Sequence, residues 1–279
     1  MLKTRILTAV ILLAVFLIAL FYLPSLAWLA FATTVTGIAA WEWGALMGLN
    51  RANRIALGLL LVCICIVLAI LNPVALGLGG AYEPEAWRLG RWFYVPAFAF
   101  WLLVVPLWMH KRWRLSRSLA GVLIGMLVLL PAWLALVQLK QAGGEWVLLQ
   151  ILAVVWLADI AAYAAGRTLG RHKLAPAISP GKTWEGAIGG CVAVVGYGFV
   201  LAPGFQPGLL EHPVLLFFAL VLISVISVIG DLFESLLKRQ AGMKDSSSIL
   251  PGHGGVLDRI DSLTSTLPLV ALVWLGFQS

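Results

Sequence analysis

The chain has 279 residues, of which 62% are hydrophobic and 11% charged, and it carries a net charge of +7. Soluble domains hold roughly 25% charged and 45–50% apolar residues, so this balance excludes a disordered chain, a disulfide-stapled secreted domain and an ordinary soluble enzyme. It leaves a polytopic membrane protein, in which the useful count is spans of about 20 residues each.

Nine apolar runs follow one another, roughly 6–22, 25–47, 55–71, 93–109, 118–139, 146–166, 185–203, 212–230 and 263–277. They predict an all-α architecture of about nine transmembrane helices. About five spans lie in residues 1–140 and about four in 141–279, the latter with cytoplasmic loops at 167–184 and 231–262. The first run does not read as a removed signal peptide, because Phe21-Tyr22-Leu23-Pro24 closes it without a small-residue cleavage pattern. Pro73, Gly77, Gly79, Gly80 and Pro84 mark an external loop from Asn72 to Trp92. No internal repeat is visible.

Orientation follows from the cations. With the N-terminus inside, only Arg88, Arg91 and Lys140 of the 19 Lys and Arg residues fall outside, and the other 16 fall inside. That asymmetry matches the positive-inside rule and places the C-terminus outside. The positive charge therefore reflects membrane topology, and nucleic acid is not an expected partner. Trp28, Trp92, Trp108, Trp113, Trp146 and Trp184 stand near run ends and read as an interfacial belt. Cys63, Cys65 and Cys191 lie in apolar runs and read as packing residues.

Of the 12 acidic residues, Glu83, Glu85, Glu145 and Glu211 fall in outside loops. The others, Glu42, Asp159, Glu185, Asp231, Glu234, Asp245, Asp258 and Asp261, lie in or against the inner half of the membrane. Ionisable residues there face the bundle interior and mark function by default. Asp231, Glu234, Ser235 and Lys238 are spaced to share one helix face. After a polar loop come Pro251-Gly252-His253-Gly254-Gly255, whose amides can approach and cradle phosphate oxygens. Asp258 and Asp261 then share a face at a helix start. Carboxylates, a Gly-rich loop and nearby Lys and Arg suit a Mg²⁺–polyphosphate site.

A second polar segment lies between the sixth and seventh runs. Asp159 and Tyr163 are one helical turn apart, and Ser179, Lys182, Thr183 and Glu185 follow in a Pro/Gly-rich stretch. Gly181-Lys182-Thr183 imitates the end of a P-loop, but Pro176 stands where that loop needs its first glycine. Both segments are assigned to the cytoplasmic side, so they can converge.

Ser235-Leu236-Leu237-Lys238-Arg239, Lys244-Asp245 and the run from Pro251 to Asp261 resemble the signature of phosphatidate cytidylyltransferases, also called CDP-diacylglycerol synthases. The segment from Ile178 to Gly186 is similar to a second stretch shared in that family, and Trp41-Glu42-Trp43 also looks family-like. The resemblance covers the chain well from about Trp156 onward. It departs from the family at Ile160 and Ala161, where a hydroxyl residue and a glycine are frequent, and at Gly181, where bacterial members often have lysine.

The resemblance implies transfer of the cytidylyl group of CTP to phosphatidate, releasing pyrophosphate, at the cytoplasmic face of a bacterial-type inner membrane. It implies Mg²⁺ held by Asp231, Asp258 and Asp261, with a second, monovalent cation left open. Lys238, Arg239, Lys244 and Arg259 are the expected phosphate contacts and complete the catalytic set. Substrate binding is expected from Ser179, Lys182, Thr183, Glu185, Ser235, Asp245, His253, Gly254, Gly255, Asp159 and Tyr163. The partners are CTP, phosphatidate and membrane lipid, and the family expectation is a homodimer. The competing readings are a CTP-dependent lipid or polyprenol kinase and a secondary transporter of an anionic substrate.

Overall fold

The computed structural model describes residues 2–79, 87–205 and 210–277, with side chains from residue 6 onward apart from 203–205, 276 and 277. The expected outer-loop acids Glu83 and Glu85 lie outside the described residues. All nine apolar runs are helical. They form α1 (Leu2–Tyr22), α2 (Ser25–Leu46), α3 (Arg51–Leu71), α4 (Leu89–Lys111), α5 (Leu119–Leu169), α6 (Trp184–Phe205), α7 (Pro213–Gln240) and α8 (Leu257–Phe277). Among the described residues five helices are long and apolar enough to cross a membrane: α3, α4, α5, α7 and the Trp184–Ala202 part of α6. This is an all-α membrane protein in its main architecture.

Two runs expected as separate spans share α5. They meet at Gly144, whose backbone (φ 77°, ψ −178°) breaks the helix in a region open essentially to glycine. Beside the break, Lys140 donates to the carbonyl of Leu23 (3.2 Å) and lies 4.7 Å from the Trp28 ring. In α4 the regular ladder is interrupted by Pro96 and then by a π turn over Phe100–Val104.

The tryptophan belt needs correction. Trp92, Trp146, Trp184 and Trp113 are exposed, as an interface requires, but Trp28 and Trp108 are buried. Trp28 stacks on Phe31, and Trp108 meets Trp113 and Phe233 edge-on. Run-end position located these rings without showing which neighbour covers them.

The core sits where α2, α5, α7 and α8 pack. Trp43 Nε1 donates to the carbonyl of Gly121 (3.0 Å) and Trp133 Nε1 to Thr33 Oγ1 (3.1 Å), tying α2 to α5. Phe233 of α7 is surrounded edge-on by Phe100, Trp101 and Trp108 of α4, at centroid distances of 5.6–6.0 Å. Each such pair adds about 0.5–1.5 kcal/mol beyond the area it buries. The apolar back of α7 is thereby fixed, and its polar front faces a cavity. Helices α5 and α6 meet along a seam of small residues. A Cβ at Gly186 would sit 2.7 Å from the Ala162 carbonyl, and one at Gly190 would sit 2.9 Å from that of Ala158.

The loop expected at 167–184 is shorter than predicted, because α5 runs to Leu169, and it contains an antiparallel hairpin. Strand β1 (Lys173–Ala175) pairs with β2 (Ser179–Thr183), Lys173 facing Thr183 and Ala175 facing Ser179. The Pro/Gly-rich composition had indicated an irregular loop.

Candidate active site

Three elements build the site: the polar front of α7, the β1–β2 hairpin, and the loop 241–256 with the first turns of α8. The hairpin swings Lys182 onto α7, where its Nζ pairs with Asp231 Oδ2 at 2.5 Å. Asp231 Oδ1 accepts from the Ser235 hydroxyl one turn on (3.3 Å). Thr183 Oγ1 accepts the amide of Gly186 (3.1 Å), so this buried hydroxyl caps α6. Glu185 clasps the base of the hairpin instead of facing the cavity. Its carboxylate takes the His172 amide (3.2 and 3.3 Å) and lies 2.6 Å from His172 Nδ1.

Asp258 is the most heavily bonded carboxylate at the site. Oδ2 accepts the amides of Gly255 (2.7 Å) and Ser246 (2.8 Å) and the Ser246 hydroxyl (2.8 Å), while Oδ1 takes Lys238 Nζ at 2.6 Å. Lys238 also lies 3.4 Å from Glu234. The sequence placed Asp258 among the metal ligands. In the structure its Oδ2 anchors the loop and its Oδ1 pairs with Lys238.

Two cavities open beside these groups. The larger, about 550 Å³, is walled by α5, α6 and α7. Asp159, Asp231, Asp258, Asp261, Arg167, Lys182, Lys238 and Arg259 supply its charge, with Ser179, Thr183 and Tyr163 also on its lining. The smaller, about 530 Å³, is built by the loop from Lys244, Asp245, Ser247, His253, Gly254 and Arg259 among others. Arg259 lines both. The loop's turn is tight: Leu250 and Gly254 bridge across it, and Gly254 has φ 82°. His253 Nδ1 is buried there with no hydrogen-bond partner among the described residues.

The two polar segments singled out from the sequence therefore do meet. Arg239 is exposed and lines neither cavity, and Gly255 sits buried behind the loop. Sequence reasoning gave too little weight to Glu42, Ser246 and Ser247. Glu42, wholly buried in α2, accepts hydrogen bonds from Ser247 and from the start of α8 and lies 3.3 Å from the Ser246 oxygen. The signal was an acid inside the Trp41-Glu42-Trp43 cluster. Arg167 is a further addition: it lines the larger cavity and donates to the Tyr163 hydroxyl (3.1 Å).

Among the described residues no three His, Cys, Asp or Glu side chains converge closely enough to hold a metal by themselves. That donor set suits Mg²⁺, which takes one or two carboxylates and completes its shell with phosphate oxygens and water. Asp231 and Asp261 both stand on the cavity wall, Asp231 paired with Lys182 and Ser235 and Asp261 accepting the Ser262 amide. The arrangement can gather phosphate groups between cations and carboxylates at one edge of the helix bundle.

Comparison with known proteins agrees. A model of the Cytidylyltransferase family matches residues 3–277. A phosphatidate cytidylyltransferase of Pseudomonas aeruginosa is 39% identical over 98% of this chain and 97% of its own. One from Haemophilus influenzae is 33% identical over 96% of each. One from Brucella suis is 49% identical over half of each chain.

Proposed function

The chain belongs to the cytidylyltransferase family, and from that membership and the geometry above we propose that it converts CTP and phosphatidate to CDP-diacylglycerol and pyrophosphate. An oxygen of the lipid phosphate attacks the α-phosphorus of CTP. The bond from that phosphorus to the oxygen bridging to the β-phosphorus breaks, and pyrophosphate leaves. The nucleophile is already anionic near neutral pH, so no protein base is required. The obstacle is bringing two polyanions together in line. The observation that carries this reading is Arg259, shared by a loop-built polar cavity and a helix-walled one that holds Lys182, Lys238 and the acids.

The nucleoside of CTP fits the loop cavity, with its phosphates reaching past Arg259. The phosphatidate headgroup fits the helix-walled cavity, whose sides are Ala and Gly of α5 and α6. Arg259 suits a bidentate phosphate contact, and Lys182 and Lys238 act as point charges. Mg²⁺, when bound, supplies neutralisation of phosphate charge, and Asp231 and Asp261 are the residues that would hold it. The 16-to-3 division of cations supports nine spans with the site on the cytoplasmic face of an inner membrane.

The test uses purified protein, phosphatidate, Mg²⁺ and CTP labelled at the α- or the γ-phosphate. Label from the α position in lipid, with pyrophosphate released, is the expected result. Transfer of γ-label to diacylglycerol or polyprenol, with CDP released, would establish the kinase instead.

A further inference from the structure

The N-terminal half sends one residue into this region that the transfer chemistry itself does not use. Glu42 of α2 is fully buried, and its carboxylate accepts three hydrogen bonds. Oε1 takes the Val256 amide (3.0 Å) and the Ser247 hydroxyl (2.6 Å). Oε2 takes the Leu257 amide (2.6 Å) and lies 3.3 Å from the oxygen of Ser246, whose hydroxyl donates to Asp258. Those amides open α8, where unpaired N–H groups and the helix dipole favour an anion. Gly255 lies so close that any Cβ there would strike both Glu42 and Ser246. Ser246, itself fully buried, stands between Glu42 and Asp258, and Asp258 holds Lys238.

We infer that Glu42 is a positioning residue for the nucleotide. It sets the loop through Ser247 and the first turn of α8 through Val256 and Leu257, and it thereby shapes the loop cavity without touching a substrate. The inference rests on the reading that this cavity takes CTP. The phosphatidate headgroup is placed by α5, α6 and α7, which Glu42 does not bond. Loosening Glu42 therefore weakens CTP and spares the lipid.

The experiment is steady-state kinetics on Glu42→Gln in detergent, with α-labelled CTP and with rates normalised to folded protein. Glutamine keeps the size but turns an NH₂ group toward a backbone amide of Val256 or Leu257, donor against donor, so at least one hydrogen bond is lost. The KM for CTP is expected to rise about tenfold or more, while the KM for phosphatidate stays within about twofold. Glu42→Asp keeps the charge but shortens its reach to the amides and Ser247, and is expected to move the KM for CTP the same way by less, which keeps the inference testable if Glu42→Gln does not fold. An unchanged KM for CTP in both variants would overturn it. So would equal rises in both KM values, or a loss that merely tracks folded protein. If the unsubstituted protein transfers no α-label to phosphatidate, it is the functional reading that fails.

Discussion

Replacing Asp258 by asparagine separates anchoring from metal binding. The Asp258→Asn side chain would keep one carbonyl oxygen for the amides of Ser246 and Gly255, which leaves its NH₂ group facing the Lys238 ammonium, donor against donor. The Lys238–Asp258 pair is 2.6 Å long with side chains only 14% and 3% exposed. Removing one partner of a buried, hydrogen-bonded ion pair costs about 3–5 kcal/mol. Glu234, 3.4 Å from the same ammonium, retains part of the attraction, so the low end applies, about 3 kcal/mol. At ~2–4 °C per kcal/mol for a chain of this size, the melting temperature should fall by about 6–12 °C. The Lys182–Asp231 pair is 26% and 28% exposed, and such pairs contribute about 1 kcal/mol or less. Asp231→Asn should therefore lower melting by no more than about 4 °C. Both variants should lose turnover. Thermal unfolding in detergent, followed by near-ultraviolet circular dichroism, and α-label transfer measure the two effects. An Asp258→Asn protein that melts with the unsubstituted one, or an Asp231→Asn protein that melts far below it, would refute the assignment of roles.

Three further outcomes follow from the same geometry. Lys182→Met should raise the KM for CTP or slow transfer at least tenfold while the hairpin stays clasped by Glu185 and His172, as amide hydrogen exchange over 173–183 would report. Cys191 lines the larger cavity, so its alkylation in a Cys63→Ser background should block transfer, and bound phosphatidate should slow the labelling. Removal of divalent ions with EDTA should abolish transfer but shift melting by less than about 2 °C, since substrate phosphates supply much of the expected Mg²⁺ shell.

Much of the site could be read from the sequence because charge inside apolar runs is conspicuous. The spacing of Asp231, Ser235 and Lys238 gave a shared face, and the glycines around His253 gave a turn. Both are local patterns, and both are found. Other features depend on partners far along the chain. Glu42 meets Ser246 and Leu257 from 204 and 215 residues away, so its neighbours could not be inferred from its surroundings in sequence. The commitment of Asp258 to the loop was hidden for a related reason: its position on a face was legible, but which backbone amides would fill its oxygens was not. The gap between the fifth and sixth runs, with Glu145, reads as an outside loop, whereas the helix continues through one break at Gly144, where φ is positive. In the same way the stretch 167–184 reads only as a loop, which concealed the strand pairing that carries Lys182 to Asp231.

The seam between α5 and α6 carries a consequence for how this protein can change over generations. A leucine-lined contact can drift, because a lost methyl at one position is balanced by a gained one opposite. Gly186 and Gly190 touch the backbone of the facing helix, and no smaller residue exists to take their place or to make room for a larger one. Every replacement there moves in one direction, toward bulk, and no single reciprocal step can undo it. The wall of the larger cavity is thus a ratchet already at its last tooth, while the lipid-facing sides of the same helices remain free to wander.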